Sequence, residues 1–291
     1  MRDFHYLEPR TVSEATAMLA DHGEEACVFA GGTALILALR QRMMAPGVLV
    51  SLGQLEEMRA IRFDPKEGLL IGAMARHNDI ARSKIVRQHY PVVAEMAGGL
   101  ANPQVRNQAT IGGNLCYADP STDPPACLLA LGAELTIKGQ HGARRIPMDE
   151  FNVDYFTVAM EPGEILTQIR LPPPDQEVTT FYRRHLRTPA EHRPVANLAL
   201  AVRNRGGAFE DVRLIVGAAT PAPQLLDGVQ DYLSGRSVTA EVAAEAADRA
   251  AEEMFPISDG RGDEGFRRQV VRALTRRLVA EAANLDWKET E

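Results

Sequence analysis

Two glycine pairs narrow the choice of backbone for this chain: Ala30-Gly31-Gly32-Thr33-Ala34-Leu35, and, further along, Thr110-Ile111-Gly112-Gly113-Asn114. Each pair ends or follows an apolar stretch that reads as a strand or its approach. A glycine has no Cβ, so its amide can come close to a ligand. Successive exposed N–H groups form a concavity that suits a phosphate. Two such loops predict a dinucleotide gripped from two sides. A tight turn is the competing reading of either pair taken alone. Neither pair matches G-x-G-x-x-G or G-x-x-x-x-G-K-[ST], which disfavours the two nucleotide folds those motifs mark.

The pattern around the first pair is strand, loop, helix, strand. Ala26–Ala30 is a short apolar run of strand character, Ala34–Met43 reads as a helix, and Gly47–Leu52 as a further strand. This βαβ-like order turns loop amides and a positive helix end toward an anion. A helix over Ser13–His22 precedes it, with Ser13 as cap and Gly23 as stop. Strand signals follow at Ala60–Phe63 and Leu69–Ile71, then helices from His77 and over Val92–Leu100. Glu134–Lys138, Arg144–Pro147 and Ile165–Leu171 read as strands of one sheet. Pro172-Pro173-Pro174 can continue neither helix nor sheet and marks a boundary. Beyond it, strands Ala196–Val202 and Val212–Ala218 flank a turn at Asn204–Ala208, and helices cover Ala240–Met254 and Glu264–Ala283.

At 291 residues, 45% hydrophobic and 24% charged, the chain has ordinary globular composition and room for two domains. It has no long uncharged run, and no transmembrane segment is expected. The N-terminal residues lack an apolar core with a small-residue cleavage site, so secretion by that route is not expected. A net charge of −7 argues against non-specific nucleic-acid binding. Cys27, Cys116 and Cys127 are too few for a four-thiolate cluster, and a reduced cytoplasmic setting suits them.

Asn114 offers both a donor and an acceptor directly after the second pair. Asp123, in a proline-rich loop, suits a ribose hydroxyl or a solvated turn. His77 suits a helix cap or a cavity wall. Arg183, Arg184, His185, Arg187, His192 and Arg193 form a basic cluster in an acidic chain. It reads either as a solvated edge or interface, or as positive charge near a reduced, anionic cofactor. Arg267, Arg268, Arg272, Arg276 and Arg277 read as the solvated side of one helix. No nucleophile–base or metal-ligand spacing stands out, as fits a redox cofactor that brings its own chemistry.

With these residues in view, AGGTAL at Ala30–Leu35, TIGGN at Thr110–Asn114 and ADPSTDPPACLLALGAEL at Ala118–Leu135 resemble the FAD-binding subunit of molybdenum hydroxylases, the carbon monoxide and xanthine dehydrogenase family. The likeness extends to FHYLEPRTVSEA near the start, EPGEILTQIRLPPP at Glu161–Pro174 and SDGRGDEGFRR at Ser258–Arg268. It implies an α+β chain: an FAD-binding domain of two α/β subdomains over residues 1–173, divided near 55, and a C-terminal domain over 174–291 with a small antiparallel sheet and helices.

By the same resemblance the cofactor residues are Ala30, Gly31, Gly32, Thr33, Ala34, Leu35, Ala101, Thr110, Gly112, Gly113, Asn114, Thr122, Asp123, Leu166 and Arg183. Arg183 stands where the family often has a lysine, keeping the charge but not the geometry. The implied activity is electron transfer through FAD. Electrons would arrive from [2Fe–2S] clusters in a small subunit and leave to an external acceptor, while a large molybdopterin subunit oxidises substrate. The implied assembly is a dimer of heterotrimers. The chain lacks the cysteine-bearing insertion of the 4-hydroxybenzoyl-CoA reductase branch. Thr188–Pro194 lacks the aromatic residue that some relatives place beside the flavin. A stand-alone FAD oxidase or reductase is the alternative, and would need its own substrate pocket and base.

Overall fold

The apolar runs beside the first glycine pair become neighbouring parallel strands, Ala26–Phe29 and Val48–Ser51, joined through the helix Leu35–Arg40. His5–Leu7 pairs in parallel on the other edge, which makes Val48–Ser51 the central strand of three. All four of its residues are buried, as a parallel strand covered on both faces requires. The helix Val12–His22 is capped by Thr11 rather than Ser13: the Glu14 N–H donates to Thr11 Oγ1 at 3.1 Å.

The coordinates are a computed structural model that describes residues 3–189 and 191–286. Ala190, inside the Thr188–Pro194 stretch, lies outside the described residues. Backbone contacts divide the chain into two units. The first runs to Ala118 and takes in Ala133–Val153 and Thr157–Pro173; the second holds Asp119–Gly132, Asp154–Phe156 and everything from Pro174.

A five-stranded antiparallel sheet completes the first unit, in the order Ile61–Asp64, Gly68–Gly72, Ile165–Leu171, Glu134–Gly139, Gly142–Pro147. The three segments read from the sequence as strands of one sheet do lie in one sheet. Helices His77–Arg82, Lys84–His89 and Pro91–Gly99 follow its first hairpin.

In the second unit, strands Val178–His185, Ala196–Arg205, Ala208–Gly217 and Gln224–Leu225 form an antiparallel sheet in chain order. The hairpin turn is tighter than the sequence suggests, with Gly206 and Gly207 both at positive φ. Helices Asp227–Leu233, Ala240–Glu253 and Glu264–Ala282 share a core with this sheet. Buried Ala243, Ala246 and Ala250 let Ala240–Glu253 lie close to the last helix.

One correction concerns that last helix. Arg267, expected among the solvated arginines, is fully buried. Its guanidinium donates to the carbonyls of Val195 and Ala218, the latter at 2.7 Å, and pairs with Asp259 at 2.7 Å. Carbonyls left over at the ends of two sheet strands need donors, and a five-donor guanidinium supplies them.

Candidate functional site

A cavity of about 370 Å³ lies within the first unit. The whole segment Ala30–Leu35 lines it, together with Thr110, Gly112, Gly113, Asn114 and Leu166. A second cavity of about 210 Å³ shares Ala30, Gly31, Met74 and Thr110 with the first.

The first glycine pair leaves its amides available. Among the described residues, none of the amides of Gly31, Gly32, Thr33, Ala34 and Leu35 donates to a protein acceptor; the helix ladder starts with Ile36 N–H to Gly32 C=O at 2.9 Å. Gly32 has φ +70°, and a Cβ there would sit 2.7 Å from the Phe29 ring. A Cβ on Gly31 would sit 2.3 Å from the Gln108 carbonyl oxygen. These glycines are therefore required by backbone packing as well as by access to a ligand.

The second pair works differently, which corrects the expectation of two equivalent amide loops. Gly112 and Gly113 lie in the first turn of a helix, Ile111–Tyr117, with Thr110 as its cap. Gly113 N–H donates to Thr110 Oγ1 at 3.1 Å, Gly112 N–H to Ala73 C=O at 2.8 Å, and Ile111 N–H to Ala75 C=O at 3.0 Å. Every one of these amides has a protein acceptor. What the second pair contributes is a smooth wall. A Cβ on Gly112 would meet Ala73 at 2.6 Å, so only glycine lets this helix start so near that segment.

The rest of the lining, absent from the sequence-derived set, is apolar or neutral apart from Glu164. It includes Val28, Met44, Met74 and Met160. Cys116 Sγ lies 3.7 Å from Met160 Sδ, and burial pushes its thiol up to about 12, so it is a neutral wall and not a nucleophile. Glu164 is bound by Arg144 through two contacts of 2.8 and 2.7 Å, and this pairing holds its carboxyl below the usual range. These residues are scattered singly through the sequence, and no local pattern marks them.

Other predicted residues stand elsewhere. Ala101, in the first unit, is not among the lining residues; it adopts φ +44°, and its carbonyl accepts from Arg106 at 3.0 Å. Thr122, Asp123 and Arg183 belong to the second unit. Asp123 is neither loop-exposed nor solvated: it is 1% exposed, accepting from the Tyr182 hydroxyl and from Arg184 at 2.9 Å. Burial raises its carboxyl pKa against the pull of Arg184. The basic cluster is likewise neutralised: Arg183 pairs with Glu281 at 2.5 Å, Arg184 with Asp123, Arg187 with Glu191 and Arg193 with Asp119. Each of these four arginines therefore carries an acidic partner within the second unit. Arg261, 2.6 Å from Ser121 Oγ, and Asn197, 2.8 Å from the Thr122 carbonyl, complete the anchoring of the Asp119–Asp123 loop.

His77 is fully buried, and neither ring nitrogen has a partner. Burial, with Arg106 second, lowers its pKa to about 4, so the ring is neutral. Among the described residues no helix is long and apolar enough to cross a membrane.

Unpaired amides over a largely apolar bed, whose one carboxylate among the described lining residues, Glu164, is held by Arg144, make a cavity suited to a ligand with anionic groups and apolar rings. Residues 2–174 match the family described as the FAD binding domain in molybdopterin dehydrogenase, and residues 180–282 match the CO dehydrogenase flavoprotein C-terminal domain. The chain is 32% identical over 286 residues to the carbon monoxide dehydrogenase medium chain of Hydrogenophaga pseudoflava, covering 98% of this chain and 97% of that one. It is 30% identical over 281 residues to the glyceraldehyde dehydrogenase medium chain of Sulfolobus acidocaldarius, covering 97% and 99%. Carbon monoxide dehydrogenase from H. pseudoflava, in a form lacking the Mo-pyranopterin moiety of its molybdenum cofactor, superposes with a TM-score of 0.92 at 31% identity over 97% of this chain and 98% of that one. Quinoline 2-oxidoreductase from Pseudomonas putida 86 also gives 0.92, at 27% identity over 97% and 98%. This chain belongs to the family of FAD-binding medium subunits of molybdenum hydroxylases.

Proposed function

We propose that this chain is the electron-transfer flavoprotein of a molybdenum hydroxylase complex. In this reading it receives electrons from [2Fe–2S] clusters of a small subunit and passes them to an external acceptor. Substrate oxidation falls to a large molybdopterin subunit, and two three-chain units associate. FAD, when bound, supplies the chemistry by storing electrons and releasing them in pairs.

The observation that carries the reading is the run of unpaired amides from Gly31 to Leu35 on the cavity wall. An N–H to phosphate oxygen bond is charge-assisted, and each contributes about 1.5–3 kcal/mol net. Several aimed at one pyrophosphate satisfy donors that otherwise need water. Asn114 lines the same cavity, and Val28, Met74 and Leu166 give it an apolar wall that would exclude water from a bound flavin. The proposed site comprises Ala30–Leu35, Thr110, Gly112, Gly113, Asn114 and Leu166. Asp123 and Arg183 are left out of it because their charges are met by Arg184 and Glu281. The three cysteines, none in a disulfide, support a reducing, cytoplasmic setting.

The test is the visible spectrum and released nucleotide of the purified chain after FAD incubation and gel filtration, alongside iron and molybdenum analysis of what copurifies with it. One FAD per chain, with an iron–sulfur chain and a molybdenum chain in the same complex, is the expected result. A folded chain that retains no FAD overturns the reading.

A further inference from the structure

Glu164 carries the only carboxylate among the described residues that line the cofactor cavity. Its partner Arg144 is not in the lining, so this ion pair turns its acid toward the cavity and keeps its base behind. Glu164 Oε1 accepts from Arg144 Nε at 2.8 Å. Its Oε2 accepts from a second guanidinium nitrogen of Arg144 at 2.7 Å and from the Glu161 N–H at 2.7 Å. Each carboxylate oxygen has room for two donors. Oε1 therefore keeps one acceptor position that no described residue fills.

The carboxylate is also held in place. Arg144 donates to the Ala159 carbonyl at 2.7 Å, and the Glu164 N–H returns to the Glu161 carbonyl at 3.1 Å across a turn in which Gly163 has φ +84°. A side chain clamped in this way meets a ligand without first losing rotamer freedom.

A fixed anion in the wall of a cavity that takes a pyrophosphate has to sit where the ligand presents donors. The amide loop and the Glu164 segment approach the helix Ile111–Tyr117 at separate points. A Cβ on Gly113 would lie 3.5 Å from the Ala30 Cβ, whereas Cys116, three residues on, has its Sγ 3.7 Å from Met160 Sδ. The acid is thus set apart from the amides that suit phosphate. Of the donors in FAD, the isoalloxazine N–H lies between two carbonyl oxygens, which a carboxylate repels. The adenosine half offers vicinal ribose hydroxyls, common partners of an acidic residue, and an exocyclic amine.

We propose that Glu164 is a specificity-determining residue of the cofactor site, accepting a hydrogen bond from the ribose diol or the adenine amine of FAD, with Arg144 as its positioning residue. This role rests on the FAD reading above.

The experiment titrates the full chain, by flavin fluorescence, with FAD and two analogues: one with 2′,3′-dideoxyribose in the adenosine half, the other with hypoxanthine in place of adenine. The wild type is expected to bind at least one analogue more than fivefold more weakly than FAD, and which one identifies the donor. Glu164→Gln is expected to bind FAD and that analogue within twofold of each other. Glu164→Asp, which keeps the charge but draws it back by one methylene, is read by the same criterion where the Gln variant does not fold. A wild-type chain that binds both analogues within fivefold of FAD overturns the proposal. So does a variant that still separates the two ligands by more than twofold, since Glu164 then serves the turn alone. A folded wild-type chain that binds no FAD is instead a failure of the FAD reading, and it is seen before any analogue is used.

Discussion

Acid should loosen this protein through one residue. His77 opens the helix His77–Arg82, its own N–H bonded to the Ala109 carbonyl at 3.2 Å, and its ring is fully buried without a partner. In the unfolded chain the ring titrates near its ordinary 6.5, whereas in the folded protein burial lowers this to about 4. Between those values the unfolded chain holds a proton that the native state excludes. Stability is therefore complete above about pH 6.5 and is lost as pH falls toward 4. The displacement corresponds to about 3 kcal/mol in full, about 2 kcal/mol of it gone by pH 5, against a typical total of about 5–15 kcal/mol. His77→Leu removes the titration while filling similar space. Urea unfolding followed by circular dichroism, on both proteins at about pH 7.5, 6 and 5, gives the difference in stability between them. Other groups titrate alike in both proteins and cancel. The difference should move by about 2 kcal/mol in favour of the variant between pH 7.5 and 5. A difference constant to within about 0.5 kcal/mol would refute the reasoning, because a partnered or hydrated imidazole would show no such trend.

Three further substitutions test the site and its support. Gly32→Val places a branched side chain at φ +70° against the Phe29 ring and should weaken FAD binding at least tenfold, read by flavin fluorescence titration. Thr110→Ala removes the hydroxyl that accepts from Gly113 and should cost about 1 kcal/mol of stability, seen as a lowered Tm in a thermal melt, with a smaller effect on FAD than Gly32→Val. Arg267→Met strands the Val195 and Ala218 carbonyls and takes one partner from Asp259; a loss of about 3–5 kcal/mol is expected, appearing in limited proteolysis as early cleavage within the second unit.

The strands Glu134–Gly139 and Ile165–Leu171 are legible from the sequence because their apolar pattern is local, and the long helices Ala240–Glu253 and Glu264–Ala282 for the same reason. What sequence hides are features that depend on a polar partner distant in the chain. Arg267 reads as solvated because its helix is charged, and only Val195 and Ala218 make it a buried donor. Asp123 reads as a loop residue because two prolines follow it. Those prolines in fact occupy the first turn of the buried helix Pro124–Ala130, where proline is tolerated, and the carboxylate is drawn in by Tyr182 and Arg184.

The glycine pairs show the same division most clearly. Both are visible, yet whether an amide is free for a ligand is decided by what another segment offers it. Ala73 and Ala75 take the amides at Gly112 and Ile111, and among the described residues no segment takes those from Gly31 to Leu35. The close approaches of Gly31 to Gln108 and of Gly112 to Ala73 then gain a meaning that ligand access alone does not give them. They lock the amide loop against the segment that leads into the second pair, and that pair against the segment after the Ile61–Gly72 hairpin. The cavity wall is thereby fixed by protein–protein contacts before any nucleotide arrives. In the proposed reading, binding would then spend little on ordering the loop, which is how a short run of backbone amides, with no charged side chain of its own, would hold a doubly charged pyrophosphate.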